Sequence, residues 1–427
     1  MILTGGKILD SSLSGEILDR MGDELNETFK LPTLKAITVI NACQKLADSI
    51  SAGKYNDIIS ELGELASPEI VNAVVAQLQT ESLIFKVKNE LGEDYDKETL
   101  CSPPFASPMK KRIMPLGVLL HIAAGNVDGL PAYSVIEGLL AGNINLLKLP
   151  SADNGLSVKL LYELIQLEPS LAPYIYVFDT PSSDFISIKR MAEYADGIVV
   201  WGGDAAVTAV RKMAAPDTRI IEWGHKLSFA YITEKGIEDE ASLCGLAHHI
   251  FTTKQLLCSS CQGIFIDTDD MQLLDDFCNK FIKIMDRVSS QYPAPDIGTQ
   301  AQITLIRCNS ELEAIFSSDK RMYCANGCSV TSYENKTLEL SMMFGNPWVK
   351  RLERENIYKA LRPYKSYLQT VGLICGEDAR SELALTFAKA GAVRITHAGN
   401  MSRMSCGDAH DGEYPLRRYS RIAEIEE

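Results

Sequence analysis

From Leu116 onward, short apolar runs alternate with mixed stretches long enough for three turns of helix. Leu116 to Ile122, Ile144 to Leu149, Tyr174 to Phe178 and Gly197 to Trp201 read as strands, with helices near 131–141, 153–167, 184–194 and 204–213. Such alternation predicts a mostly parallel sheet with crossover helices. Because the strands are apolar throughout, both faces of the sheet are expected to be covered. A second α/β run starts near Leu227-Ser228-Phe229-Ala230-Tyr231-Ile232. It continues through a helix near 238–250, strand 263–267, helix 270–288, strand 367–375, helix 379–390 and strand 392–397. Ahead of both, residues 32 to 92 read as helical: Ile37, Ile40, Leu46 and Ile50 recur at three- and four-residue steps and predict one buried face, with Cys43 in the core. Residues 93 to 114, charged and then Pro-rich, read as a connecting loop. No repeat relates the two halves.

Length adds that 427 residues exceed one ordinary core and suggest two or three domains. With 23% charged and 46% hydrophobic residues, the chain has the profile of a soluble globular protein. The net charge of −14, with no basic stripe to offset it, excludes a broad nucleic-acid footprint. The eleven cysteines are sparse and irregularly spaced, which fits a reducing cytoplasm better than a disulfide scaffold. Cys258-x-x-Cys261 and Cys324-x-x-x-Cys328 lack a second ligand pair at zinc-like spacing, so no metal is expected. The first residues lack a signal-peptide pattern, and no segment has the roughly 18 unbroken apolar residues of a membrane span. The expectation is a cytoplasmic, soluble protein.

Chemistry concentrates at loops that follow the strand-like runs, where ligands bind in open α/β sheets. Cys258 stands at a loop-to-strand junction and can serve as a nucleophile, although buried Cys more often behaves as a small hydrophobe. Asn126, in Gly125-Asn126-Val127-Asp128-Gly129, reads either as a turn residue or as an amide donor to an oxyanion. Lys148, at the end of its strand, reads as a snorkelling lysine or as a cation for the ribose or phosphate of a dinucleotide, with Ser151 as hydroxyl partner. Trp201-Gly202-Gly203 would let the backbone approach a pyrophosphate at the next helix N-terminus, although no Gly-x-Gly-x-x-Gly fingerprint is present. Glu222 reads as a solvated carboxylate, or as an acid/base partner of the thiol that would also activate water. His410 reads as a surface histidine, and His248-His249 as packing or capping residues.

In order and spacing these elements resemble the aldehyde dehydrogenase superfamily. Within it they resemble the acyl-CoA reductase family, typified by the reductase component of the bacterial luminescence fatty-acid reductase. The matching segments are Pro115-Leu116-Gly117-Val118 to Asn126, Ala141-Gly142-Asn143 to Ser151, Trp201-Gly202-Gly203, Glu222 to Lys226, Cys258 seven residues before Phe265, and Gly391 to Gly412. They span roughly residues 110 to 420. The resemblance implies two α/β lobes with parallel-rich sheets and an active-site cleft between them. Residues 1–225 would form a helical region plus the nicotinamide-dinucleotide lobe, and 226–395 the catalytic lobe. Residues 396–427 would return toward the cofactor lobe or an oligomer interface.

The implied activity is NAD(P)H-dependent reduction of an acyl thioester, acyl-CoA or acyl-protein, to an aldehyde through an acyl-Cys258 intermediate. Asn126 and Glu222 would assist, and Lys148, Ser151, Trp201, Gly202 and Gly203 would hold the cofactor. An acyl-activating or acyl-transferring partner enzyme and a homo-oligomer are implied too, while the loop-like stretch before Pro115 argues against the superfamily's usual oligomerisation hairpin. Departures are informative. The usual Glu-Leu-Gly-Gly-Lys is Glu222-Trp223-Gly224-His225-Lys226 here, and the Gln two residues before the nucleophile is replaced by Leu256, with Gln255 offset by one. No Glu follows Lys148 at the ribose turn, so nothing repels a 2′-phosphate: NADPH is implied and NADH stays open. Two alternatives remain: a hydrolytic NAD(P)-dependent aldehyde dehydrogenase, or a non-reducing acyl carrier or scaffold on the same fold.

Overall fold

The computed structural model of the protein describes residues 1–56, 59, 68–105, 107–123, 129–150, 153, 155–317, 319–403 and 405–426, with 68–70 described by backbone alone. The chain forms two compact units, one of Met1–Gly224 with Ser405–Glu427 and the other of His225–Met404.

In the first unit the apolar runs become β5 (Val118–Ile122), β6 (Ile144–Lys148), β7 (Ile175–Phe178), β8 (Gly197–Trp201) and β9 (Arg219–Trp223). They pair in parallel in the order β7-β6-β5-β8-β9. A hairpin of β1 (Ile2–Thr4) and β2 (Lys7–Leu9) extends the sheet on the β7 side through an antiparallel pairing. These three-residue strands are too short to leave a periodic trace in the sequence. On the helix Ala36–Ser51, Ile40, Cys43, Leu46 and Ile50 are buried, but Ile37 is exposed, because it lies a step off the face that packs.

Polar groups also enter this core. His121 and Asn145 lie inside β5 and β6; the two ring nitrogens of His121 bond the Ser134 hydroxyl at 2.7 Å and the Asn145 side-chain oxygen at 3.0 Å. Burial pushes the imidazole down to about 4, so it is neutral at physiological pH. Trp201 at the end of β8 donates its indole N–H to the same Ser134 hydroxyl at 3.1 Å. Asn143 accepts from the Gly117 N–H and donates to the Tyr419 carbonyl, tying the C-terminal segment to the sheet.

The stretch expected as a loop before Pro115 contains strands instead. β3 (Thr99–Cys101) and β4 (Met109–Pro115) pair antiparallel, and β17 (Ser420–Ile425) flanks β4. Nearly every residue of β4 is half-buried, so no apolar run marks it, and backbone pairing rather than core burial defines it.

The second unit carries a sheet ordered β12-β13-β14-β11-β10-β15-β16, comprising Lys320–Ala325, Cys328–Tyr333, Trp348–Arg351, Cys261–Ile266, Leu227–Ile232, Leu368–Ile374 and Arg394–His397. Only the β12–β13 pair is antiparallel. β10, β11 and β15 are buried along their whole length. Phe229 meets Phe265 and Phe387 edge-on at 5.3 and 5.9 Å between centroids, and this sets the spacing of those strands over the helix Glu377–Ala390. Among the described residues, no helix is long and apolar enough to cross a membrane.

A buried ion cluster joins three parts of the first unit. Lys86 contacts Glu90 at 2.6 Å and Glu137 at 2.9 Å, while the second Glu90 oxygen accepts the Leu416 N–H at 2.8 Å. Burial works against the Lys86 cation, but the two carboxylates outweigh it and hold its proton more tightly than usual. For Glu90, burial dominates and raises the carboxyl above its ordinary range despite Lys86. Replacing Lys86 with Met leaves two buried carboxylates facing each other, and at pH 8 is expected to cost about 3–5 kcal/mol. The loss should shrink as the pH falls below the ordinary glutamate range of about 4.3, toward about pH 3, where protonation removes the carboxylate charge that Lys86 balances. Urea denaturation at both pH values reads this, and an equal loss at both would contradict it.

Candidate active site

The helix Glu240–Thr253 ends with Lys254 and Gln255 both in left-handed backbone, φ 51° and 61°. Each such non-glycine residue costs about 1 kcal/mol and persists only where its surroundings impose it. Here the imposing group is the Gln255 side chain. It is buried, donates to the Cys261 carbonyl at 2.9 Å, and accepts the N–H groups of Gly345 and Asn346 at 3.1 Å each. Gln262 repeats the arrangement, donating to the Gln255 carbonyl at 2.9 Å and accepting from Ser341 N–H and hydroxyl at 3.1 and 2.9 Å. The turn Leu257 to Ser260 closes between these anchors through reciprocal bonds of 3.0 Å, Ser260 N–H to the Leu257 carbonyl and Leu257 N–H to the Ser260 hydroxyl.

Cys258 crowns that turn and is exposed, whereas Cys261, three residues on, begins β11 with 0% exposure. Burial pushes the Cys261 thiol up to about 12, and it donates to the Gly263 carbonyl. A group held protonated and out of solvent is no nucleophile. The Cys258 carbonyl accepts the Ser228 hydroxyl at 2.7 Å, and that hydroxyl in turn accepts the Thr370 N–H at 3.0 Å. On the sulfur side, the Gln369 amide donates to the Cys258 Sγ at 3.2 Å. Ser259 bonds Ser402 at 2.8 Å, and His249 accepts the Cys261 N–H at 3.2 Å, which makes it a packing residue as the sequence suggested.

In the first unit, the carboxyl ends of β5 and β6 open onto a cavity of about 880 Å³ lined by Ile122, Lys148, Ser182, Phe185, Lys189 and Asp204 among others. Lys148 is buried, its ammonium destabilised by that burial; its one hydrogen bond among the described residues is to the Ser182 hydroxyl at 2.8 Å. The helix Asp204–Met213 starts on the cavity wall, with Gly203 as N-cap and no side-chain cap. Nothing lies within 4 Å of where a Gly203 Cβ would stand. A desolvated cation beside an uncapped helix N-terminus, over apolar walls, suits a nucleoside phosphate. Gly202 instead packs closely on Ala206. Trp201 is held by Ser134 and packs against Trp223 and His410 at 5.6 and 4.9 Å, so His410 is wedged between indoles rather than free on the surface.

Glu222, on β9, accepts from the Arg211 guanidinium through both oxygens, at 2.5 and 2.9 Å. Arg211 is 64% exposed, so solvent screens this pair, which nevertheless engages both oxygens of the carboxylate. Asn126 and Ser151 lie outside the described residues. Sequence reasoning missed Gln369, Ser182 and Arg211, since each acts through a partner distant in the chain; the Gln255 offset was visible, but not that it marks a structural clamp.

The profile of the family described as acyl-CoA reductase (LuxC) matches residues 30–422. The chain belongs to this family. Long-chain acyl-protein thioester reductase of Aliivibrio fischeri is 26% identical over 328 residues, 74% of this chain and 65% of that protein. The Photorhabdus luminescens protein of the same name is 27% identical over 341 residues, 78% and 68% respectively. This LuxC-family chain thus spans about two thirds of the length of these relatives. Its fold is that of the aldehyde dehydrogenases. Betaine aldehyde dehydrogenase from Staphylococcus aureus, a point mutant solved with NAD+, superposes with TM-score 0.71 at 14% identity, covering 96% of this chain and 89% of that one. A lactaldehyde dehydrogenase gives 0.68 at 12% identity, covering 100% and 95%.

On native protein, iodoacetamide is expected to label the Cys258 peptide and to spare Cys261 until denaturant is added. Fragment-ion mapping of the shared peptide over time, which separates Cys258 from Cys261, checks this; labelling of Cys261 at a comparable native rate would contradict the geometry.

Proposed function

We propose that this protein reduces an acyl thioester, carried on CoA or on a protein, to an aldehyde at the expense of NADPH. What supports the reading is the pairing of an exposed, rigidly mounted thiol with family membership: Cys258 sits in solvent on a turn clamped by Gln255, while its neighbour Cys261 is sealed. The Cys258 thiolate attacks the acyl carbon, a carbon–sulfur bond forms to the enzyme, and the thiol of the donor leaves with a proton. A reduced nicotinamide, when bound, would supply the hydride that the acyl carbon accepts. The Cys258 sulfur then departs as thiolate and the aldehyde is released.

Asn126 takes the role that the resemblance implies, a donor to the oxyanion. Glu222 is assigned the proton exchange with the thiol and the leaving group, which requires one of its oxygens to leave Arg211. Lys148 would hold the ribose or phosphates, with Ser182 in the hydroxyl role first given to Ser151, and Gly203 would admit the pyrophosphate to its helix. The cavity also presents Lys189 and Lys212, which favour the 2′-phosphate of NADPH over NADH. We further propose that the acyl group arrives from an acyl-activating or acyl-transferring enzyme in the cytoplasm. A homo-oligomer is proposed through the β3–β4–β17 sheet, whose Leu100, Ile422 and Ile425 are exposed.

Long-chain acyl-CoA with NADPH is expected to give aldehyde and oxidised cofactor in a 1:1 ratio; Cys258→Ala should lower turnover by at least about 10³-fold, as for loss of a covalent nucleophile. Free acid as the main product from aldehyde and NADP+, without CoA, would favour the hydrolytic alternative. Binding without turnover in either direction would favour a carrier.

A further inference from the structure

We propose that Gln369 is a thiolate-binding residue: its side-chain N–H donates to the Cys258 sulfur and favours the charged, nucleophilic form. The inference rests on the assignment of Cys258 as acyl acceptor and adds a residue to that chemistry.

Three observations carry it. Gln369 lies on β15, a fully buried strand paired with β10 and β16, so its backbone is held by the sheet, and its side chain is largely buried. Its Nε2 stands 3.2 Å from the Cys258 Sγ, a hydrogen-bonding distance for sulfur. The adjacent residue of the same strand, Thr370, fixes the main chain of Cys258 through the Ser228 hydroxyl, so sulfur and carbonyl are both registered against β15. A donor aimed at sulfur stabilises thiolate over thiol, because the charged form is the stronger acceptor. It acts twice in a turnover, once on the attacking thiolate and again on the thiolate expelled when the aldehyde forms.

Among the described residues of this unit, the carboxylate on the segment that packs against the turn, that of Glu339, is engaged by the Lys350 ammonium. β15 carries no titratable side chain, and β10 carries only Tyr231, whose hydroxyl donates to the Leu352 carbonyl. The others are Lys254 on the turn's approach, Lys226 before β10, His248 and His249 on the preceding helix, and Arg394, His397 and Arg403 on β16 and beyond. Of these, Lys226, His249 and Arg394 hold backbone groups of Ser366, Cys261 and Arg403. The amide contact acts on the sulfur itself, at 3.2 Å.

The test is the pH dependence of iodoacetamide modification of the Cys258 peptide, read by mass mapping on the full chain without substrate or cofactor. Gln369→Leu is expected to raise the midpoint by about one pH unit, the scale of one hydrogen bond to a charged group. Gln369→Glu, nearly the same shape, should raise it further, since a carboxylate beside sulfur opposes ionisation; a Gln369 that only packs would leave the Leu variant at the wild-type midpoint. Urea denaturation confirms folding of each variant. If both midpoints stay at the wild-type value while Cys258 still takes an acyl group from acyl-CoA, the inference is overturned and the proposed function stands. If the midpoints shift but wild-type Cys258 takes no acyl group, the contact is real and the proposed function fails.

Discussion

A buried carboxamide, that of Gln255, is the constraint on which the chemistry of this protein depends. Two consecutive residues in left-handed backbone would relax if nothing opposed them, and the turn bearing Cys258 would lose its shape. Gln255 opposes that by bonding three backbone groups from two separate segments, the start of β11 and the turn at Gly345-Asn346. Left unpaired, each of those groups would cost about 1–3 kcal/mol, so the clamp is all-or-none in character. The outcome is a thiol presented to solvent on a rigid mount, with the neighbouring thiol turned into the core.

The first unit applies the same logic to a different task. Its sheet ends in a cavity whose buried lysine has a neutral hydroxyl beside it and an uncapped helix start on the wall. Such a site is costly to leave without an anion and well matched to one. Behind it the neutral His121, Ser134 and Trp201 form a polar thread through an otherwise apolar core, which fixes the end of β8 where the glycine pair begins.

Much of the fold was legible because it is written in local patterns. The runs at Val118, Ile144, Ile175 and Gly197 are predominantly apolar, and a buried parallel strand leaves that trace. β4 left none, since the consecutive Lys110-Lys111-Arg112 and the half-buried residues around them carry no apolar run and resemble a loop. Ile37 was assigned to the packed face by spacing alone, and one residue of offset placed it in solvent. At the site, Cys258 could be preferred over Cys261 from its spacing to Phe265, whereas Gln369 could not be found, because 111 residues separate it from the sulfur it touches. Contacts made across a sheet have no signature along a single strand.

The central claim is that Cys258 carries the acyl group between donor and aldehyde, and a single-turnover measurement addresses it directly. Protein incubated with long-chain acyl-CoA in the absence of reductant, then freed of excess donor, should gain the mass of one acyl chain on the Cys258 peptide. Addition of NADPH should discharge that chain as an equivalent of aldehyde. Acyl mass on another residue, or its release as free acid when NADPH is added, would contradict the account.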